Sequence, residues 1–166
     1  MNASDLNFDT VKPINLDTDA LKKGSTATPC STFIWSIASG DIATAESQLT
    51  DDIEWGLMPY NKVLKGKHEV IPWLKTGYAD RKEPIVISNV ATRDCGVFEY
   101  WNIGTVSDEL VRFGNAQGWP WPRDPASFVG RKYRVAQCFV YHIDSERKID
   151  FMRQYLDVGS VWAQFA

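Results

Sequence analysis

The chain is poor in the residues that build most metal and redox sites. Its 166 residues include two histidines and three cysteines. Cys30, Cys95 and Cys138 are odd in number, widely spaced and without a C-x-x-C pair, so free buried thiols are expected. His68 and His142 lie far apart, with no H-x-H or H-x-x-x-H spacing, and no metal is expected. No apolar run of about 20 residues occurs, and no apolar signal segment follows a basic start. The expectation is a soluble, cytoplasmic protein with no membrane partner. The net charge is −3, with no block of Lys or Arg, which leaves no stripe for nucleic acid. No Gly-rich phosphate loop, dinucleotide fingerprint or Ser/His/Asp order is present. "GNAQG" lacks both the spacing and the following helix, so no cofactor is expected.

What the chain does have is apolar and aromatic mass. It is 44% hydrophobic and 13% aromatic, with seven Trp. That is too apolar for disorder and enough for one full core. So many Trp point either to core packing or to the lining of a cavity or interface.

Residues 1–27 are polar and aperiodic and read as an N-terminal arm. Residues 28–166 read as a single domain. Pro29 sits near a helix start, with Phe33, Ile34 and Ile37 on one face. Gly40 ends that helix and Asp41 caps the next, "DIATAESQL". "TDDIEWGLM" reads as a strand and "PYNKVLKG" as a turn. "KHEVIPWLKTGYAD" reads as a helix that Pro72 bends or shortens. "EPIVISNVATR" and "GVFEYWNIGTV" are strands flanking "RDCG". Residues 107–131 form a Gly/Pro/Trp-rich insertion. "KYRVAQCFVYHID" and "KIDFMRQYLDV" close the chain as a hairpin across "DSER". Helices first and then mostly antiparallel sheet is the α+β class.

The last strand raises a question. With strict alternation, Asp150, Met152, Gln154 and Leu156 share a face, which places an amide in an otherwise apolar row.

The layout resembles the SnoaL-like, limonene-epoxide-hydrolase-like branch of the nuclear transport factor two-like superfamily. The resemblance rests on "LTDDIEWGLMP", "LKGKHEVIPWL", "GVFEYWNIGTV", "FVYHID" and "KIDFMRQYLD", and runs from about Thr32 to Leu156. It implies a curved sheet wrapped around helices, a cone with a deep apolar pocket, and a homodimer formed through the outer sheet face. Members of this group include hydrolases, isomerases, cyclases, lyases and non-catalytic binders, so fold alone does not give function. The epoxide hydrolases use an Asp–Arg–Asp set with a Tyr and an Asn. Matched to this sequence, those positions hold Gly104, Asn102, Gln154, Trp55 and Leu57. The ketosteroid isomerase base falls on Leu57 and its neutral acid on Phe139. None of these groups is retained.

Gln154 and Asn102 therefore cannot act as general bases near neutral pH, but they can hold an oxygen or a water. Alternatively they are core amides bonded to each other. The inward set expected with them is Phe98, Tyr100, Gln137, Tyr141, Met152 and Leu156, with Trp35 from the first helix and Met58 and Tyr60 at the mouth. Tyr100 is the expected proton donor. His142 points outward in this register. A one-residue slip would turn it inward with Glu99 and Trp101 as an acid/base pair. Asp157 reads as structural. In the insertion, Trp119 and Trp121 form a lid or a dimer contact, with Arg123 and Asp124 behind them. The functional expectation is a cofactor-independent lyase or isomerase. Its substrate would be a small hydrophobic oxygenated compound: a terpenoid epoxide, a steroid-like molecule or an aromatic. An epoxide hydrolase with a rebuilt site and a non-catalytic hydrophobic-ligand binder are the alternatives.

Overall fold

A computed structural model describes residues 28–77 and 84–165. The expected arm lies outside the described residues. Thr28 opens helix α1 (Pro29–Ser39): its hydroxyl accepts from Ser31 N at 3.1 Å, while Ser31 Oγ accepts from Thr28 N at 2.9 Å. This reciprocal box satisfies two orphan amides of the first turn. Gly40 ends the helix at φ 79°, where a side chain would be strained. Asp41 then caps α2 (Ile42–Ser47) by accepting from Thr44 N.

Six strands follow: β1 (Leu49–Leu57), β2 (Lys62–Lys65), β3 (Ile85–Ala91), β4 (Cys95–Thr105), β5 (Lys132–Ile143) and β6 (Ile149–Leu156). They form one sheet in the order β2-β1-β6-β5-β4-β3, antiparallel except for the β1–β6 pair. Helix α3 (Lys67–Gly77) carries Pro72 within it, and α4 (Asp108–Ala116) and α5 (Val158–Ala163) complete the fold. The curved, unclosed sheet with its helices is the α+β cone anticipated from the sequence. Among the described residues, no helix is long and apolar enough to cross a membrane.

The pleat of β4 and β5 is regular. Phe98, Tyr100 and Asn102 on β4, and Val135, Gln137, Phe139 and Tyr141 on β5, are buried on one face. The core packs between that face and α1. Trp55, 0% exposed, meets Phe33 edge-on at 6.0 Å and Phe139 at 5.9 Å.

Four segments differ from the sequence reading. Residues 62–65 form strand β2 rather than part of a turn, paired to β1 from Glu54↔Lys65 to Leu57↔Lys62. The insertion opens as helix α4, capped by Ser107 and burying Leu110, Phe113 and Gly114. The C-terminal segment forms α5, capped by Asp157, whose carboxylate accepts from Ser160 N at 3.0 Å; that is the structural role read for it. Strand β6 does not alternate strictly. An irregularity between Ile143↔Ile149 and His142↔Phe151 leaves Asp150 as an extra residue. It buries Ile149 with Met152 and moves Asp150 off the inner face.

Candidate functional site

The inner face ends in a cavity of about 70 Å³ at the wide end of the cone, where β4 finishes, β5 begins and β6 finishes. Its floor is a diagonal row of carboxamides. Asn102 pairs with Val135, Gln137 with Tyr100 and Leu156, and Gln154 with Phe139 and Leu57, so each amide is offset by two residues from the next. Diagonal neighbours on one face lie within reach of long side chains. Gln154 Nε2 donates to Gln137 Oε1 at 2.7 Å, and Tyr100 Oη donates to the same oxygen at 2.8 Å. Gln154, Gln137 and Asn102 are each 3% exposed. Asn102 makes no side-chain hydrogen bond to the described residues, and its amide lines the cavity.

The walls are aromatic and come from the parts of the fold the sequence left as loop. Trp119 and Trp121 follow α4, and Trp162 and Phe165 come from α5 and its end. Trp121 meets Trp162 at 4.9 Å, and Trp119 stacks on Tyr60 at 5.9 Å. Gly114 makes this packing possible: a Cβ there would stand 2.5 Å from Trp121 and 2.7 Å from Trp119. Gln164 fastens α5 to β5, its amide donating to Arg134 O at 2.7 Å and accepting from Arg134 N at 3.0 Å. The indole nitrogens of Trp119, Trp121 and Trp162 are buried without an acceptor among the described residues. Among the described residues, Tyr60 and Tyr133 are the phenols of the lining, and no carboxylate or imidazole joins them there. Tyr133 lies flat across Gly104, its cross-strand partner, where a Cβ would come within 2.6 Å of its hydroxyl.

The structure divides the residues singled out from sequence. Asn102, Gln154, Tyr60, Trp119 and Trp121 line the cavity, as do Gln137 and Leu156. Trp35, Trp55, Leu57, Phe98, Tyr100, Phe139, Tyr141 and Met152 lie outside that lining. Trp35 belongs to α1 itself, and the others pack beneath the cavity against that helix, because Phe33, Ile34 and Ile37 fill the narrow end of the cone. Met58 is 45% exposed beside the mouth. Tyr100 touches the site through Gln137, to which its hydroxyl donates. His142 faces outward, its Nδ1 2.6 Å from Asp150 Oδ1, so the register with Glu99, Trp101 and His142 inward is not the one adopted. Asp124 caps the short helix Pro125–Phe128, and neither it nor Arg123 lines the cavity. Tyr133, Trp73, Phe113, Trp162 and Phe165 were missed. For Tyr133 a signal existed: it shares the inward alternation of Val135 and Gln137 on β5.

No family model and no curated protein matches this sequence. Solved structures do. A protein from Catenulispora acidiphila with a ketosteroid isomerase-like fold, in complex with trimethylamine, superposes with a TM-score of 0.60 at 11% identity, covering 84% of this chain and 93% of that one. An LEH-like epoxide hydrolase of M. tuberculosis gives 0.58 at 15% identity, covering 87% of each chain. A SnoaL-like polyketide cyclase, so assigned provisionally, from Shewanella denitrificans gives 0.61 at 13% identity, covering 82% of this chain and 93% of that one. At such identities the likeness speaks for the fold. With its unclosed six-stranded sheet and its helices, the chain has the nuclear transport factor two-like fold that these ketosteroid isomerase-like, SnoaL-like and epoxide hydrolase-like proteins share.

Proposed function

We propose that the chain takes a compact, largely apolar molecule with one oxygen function into this cavity. It acts on that molecule as a cofactor-independent isomerase or lyase. The observation that carries the reading is the pairing of a carboxamide floor with an aromatic enclosure whose ionisable groups, among the described residues, are Tyr60 and Tyr133. At about 70 Å³ the cavity is well below the roughly 300–1,000 Å³ of drug-sized sites and below the roughly 150 Å³ that holds a benzene ring, which favours a small epoxide or enone over a steroid-like compound.

A phenol supports such a step in both directions. Tyr133 protonates the substrate oxygen, and the resulting phenolate removes a proton from a neighbouring carbon. Ring quadrupoles of the tryptophan wall stabilise cationic character in between. The product is an isomer, and dry walls keep water from adding. Hydrolysis would need a group to activate water, and the described residues of the lining supply no carboxylate or imidazole for it. The same shortage favours a second reading, a non-catalytic binder of the same ligand class. The outer sheet face, with Val97, Val140 and Tyr155 exposed, supports a homodimer in either case.

The test is product analysis by gas chromatography–mass spectrometry on a panel of terpene epoxides and cyclic enones, with wild type and Tyr133→Phe. Isomeric products lost in the variant are expected. Diols would establish the hydrolase instead, and saturable binding without turnover would establish the binder.

A further inference from the structure

Gln137 is tied on one side only. Its Oε1 accepts from Tyr100 Oη at 2.8 Å and from Gln154 Nε2 at 2.7 Å, which occupies both lone pairs of the carbonyl. Its Nε2 has no partner among the described residues, although the side chain is 97% buried, at 3% exposure, and lines the cavity. Asn102, equally buried and also without a side-chain partner among the described residues, lies one diagonal step away on β4. An amide whose oxygen is doubly engaged cannot turn over without breaking both bonds. Gln137 therefore presents N–H, and only N–H, to whatever enters.

We infer that Gln137 is the specificity-determining residue of this cavity and that it selects a ligand with an accepting oxygen, a carbonyl or an epoxide. Asn102 supplies the second donor to that oxygen. Tyr100 is a positioning residue: its phenol fixes which edge of the Gln137 amide faces inward. This rests on the small-molecule reading above and narrows it to acceptor-bearing substrates. It also gives Gln154 its place. The amide in the apolar row of β6 orients Gln137 as Tyr100 does, from the opposite strand. A hole of neutral donors suits an oxygen that gains negative charge during reaction.

The test uses the full chain with two probes of one shape, cyclohexanone and methylenecyclohexane. In 15N-labelled wild type, cyclohexanone should move the Gln137 side-chain N–H₂ resonances downfield and methylenecyclohexane should not. Gln137→Met, similar in length and without a donor, should weaken cyclohexanone by about tenfold while leaving methylenecyclohexane within about threefold. Tyr100→Phe should narrow the wild-type preference between the probes, because the amide is then free to turn. If Gln137→Met does not fold, the wild-type resonances decide. Binding of both probes with unmoved Gln137 protons, or an unchanged cyclohexanone affinity in Gln137→Met, overturns this inference alone. Binding of neither probe overturns it together with the reading it rests on.

Discussion

His142 Nδ1 and Asp150 Oδ1 meet at 2.6 Å on the outer face of the sheet, brought together by the extra residue in β6. An imidazole beside a carboxylate is a familiar acid/base pair, yet this one faces away from the cavity. Its side chains are 50% and 34% exposed, so the pair contributes about 1 kcal/mol or less. His142→Ala should leave ligand binding and turnover unchanged, with a small shift in denaturant midpoint. Loss of turnover in this variant would place the chemistry on the wrong side of the sheet.

Two glycines on β4 separate stability from function. Gly96 and Gly104 each lie under a cross-strand tyrosine, Tyr141 and Tyr133, and a Cβ would come within 2.3 and 2.6 Å of the respective hydroxyls. Alanine at either site should cost about 1–3 kcal/mol through overpacking. Only Gly104→Ala displaces a residue of the cavity. Turnover should fall by up to about 100-fold there and stay near wild type in Gly96→Ala. Equal effects on turnover would show that Tyr133 is not needed in place.

Burial raises the Tyr141 hydroxyl from its ordinary value of 10.0 to about 12. Folding thus holds this proton more tightly than the unfolded chain does. The contribution is whole below about pH 10 and is lost as pH rises toward 12. Stability of wild type, followed by denaturant titration, should fall more steeply across that window than that of Tyr141→Phe. Parallel slopes would contradict the assignment.

The cysteines should order themselves by exposure. Cys95 is exposed, whereas burial pushes Cys30 well above and Cys138 above the usual thiol value of 9.0. Thiolate is the reactive form. Iodoacetamide should label Cys95 first, Cys138 slowly, and Cys30 only on unfolding, as read by peptide mass spectrometry. Early labelling of Cys30 would mean that α1 does not seal the narrow end.

The sequence carried the sheet well where the pleat was regular. Alternation alone places Asn102, Gln137 and Gln154 on the inner face, and the structure has them there. It was silent where local signals are weak. Strand β2 is four residues long with one buried position, so it has no pattern to read. Helix α4 holds Gly114 within a stretch rich in glycine and proline, and α5 is six residues with a glycine second. Both exist because tertiary packing of Trp119, Trp121 and Trp162 holds them, which no local propensity reveals. The extra residue at Asp150 likewise breaks a period that the sequence shows as unbroken. The segments around α4 and α5 build the cavity walls, so the floor was legible and the enclosure was not.

The most direct test of the account is to titrate 15N-labelled protein with 2-cyclohexenone and follow the indole N–H signals. Trp119, Trp121 and Trp162 line the cavity, while Trp55 is sealed in the core and Trp101 lies on the outer face beneath Arg134, 4.6 Å away. Saturable shifts in the first three, with Trp55 and Trp101 unmoved, are predicted. Shifts confined to Trp101, or none in the cavity tryptophans while ligand binds, would contradict it.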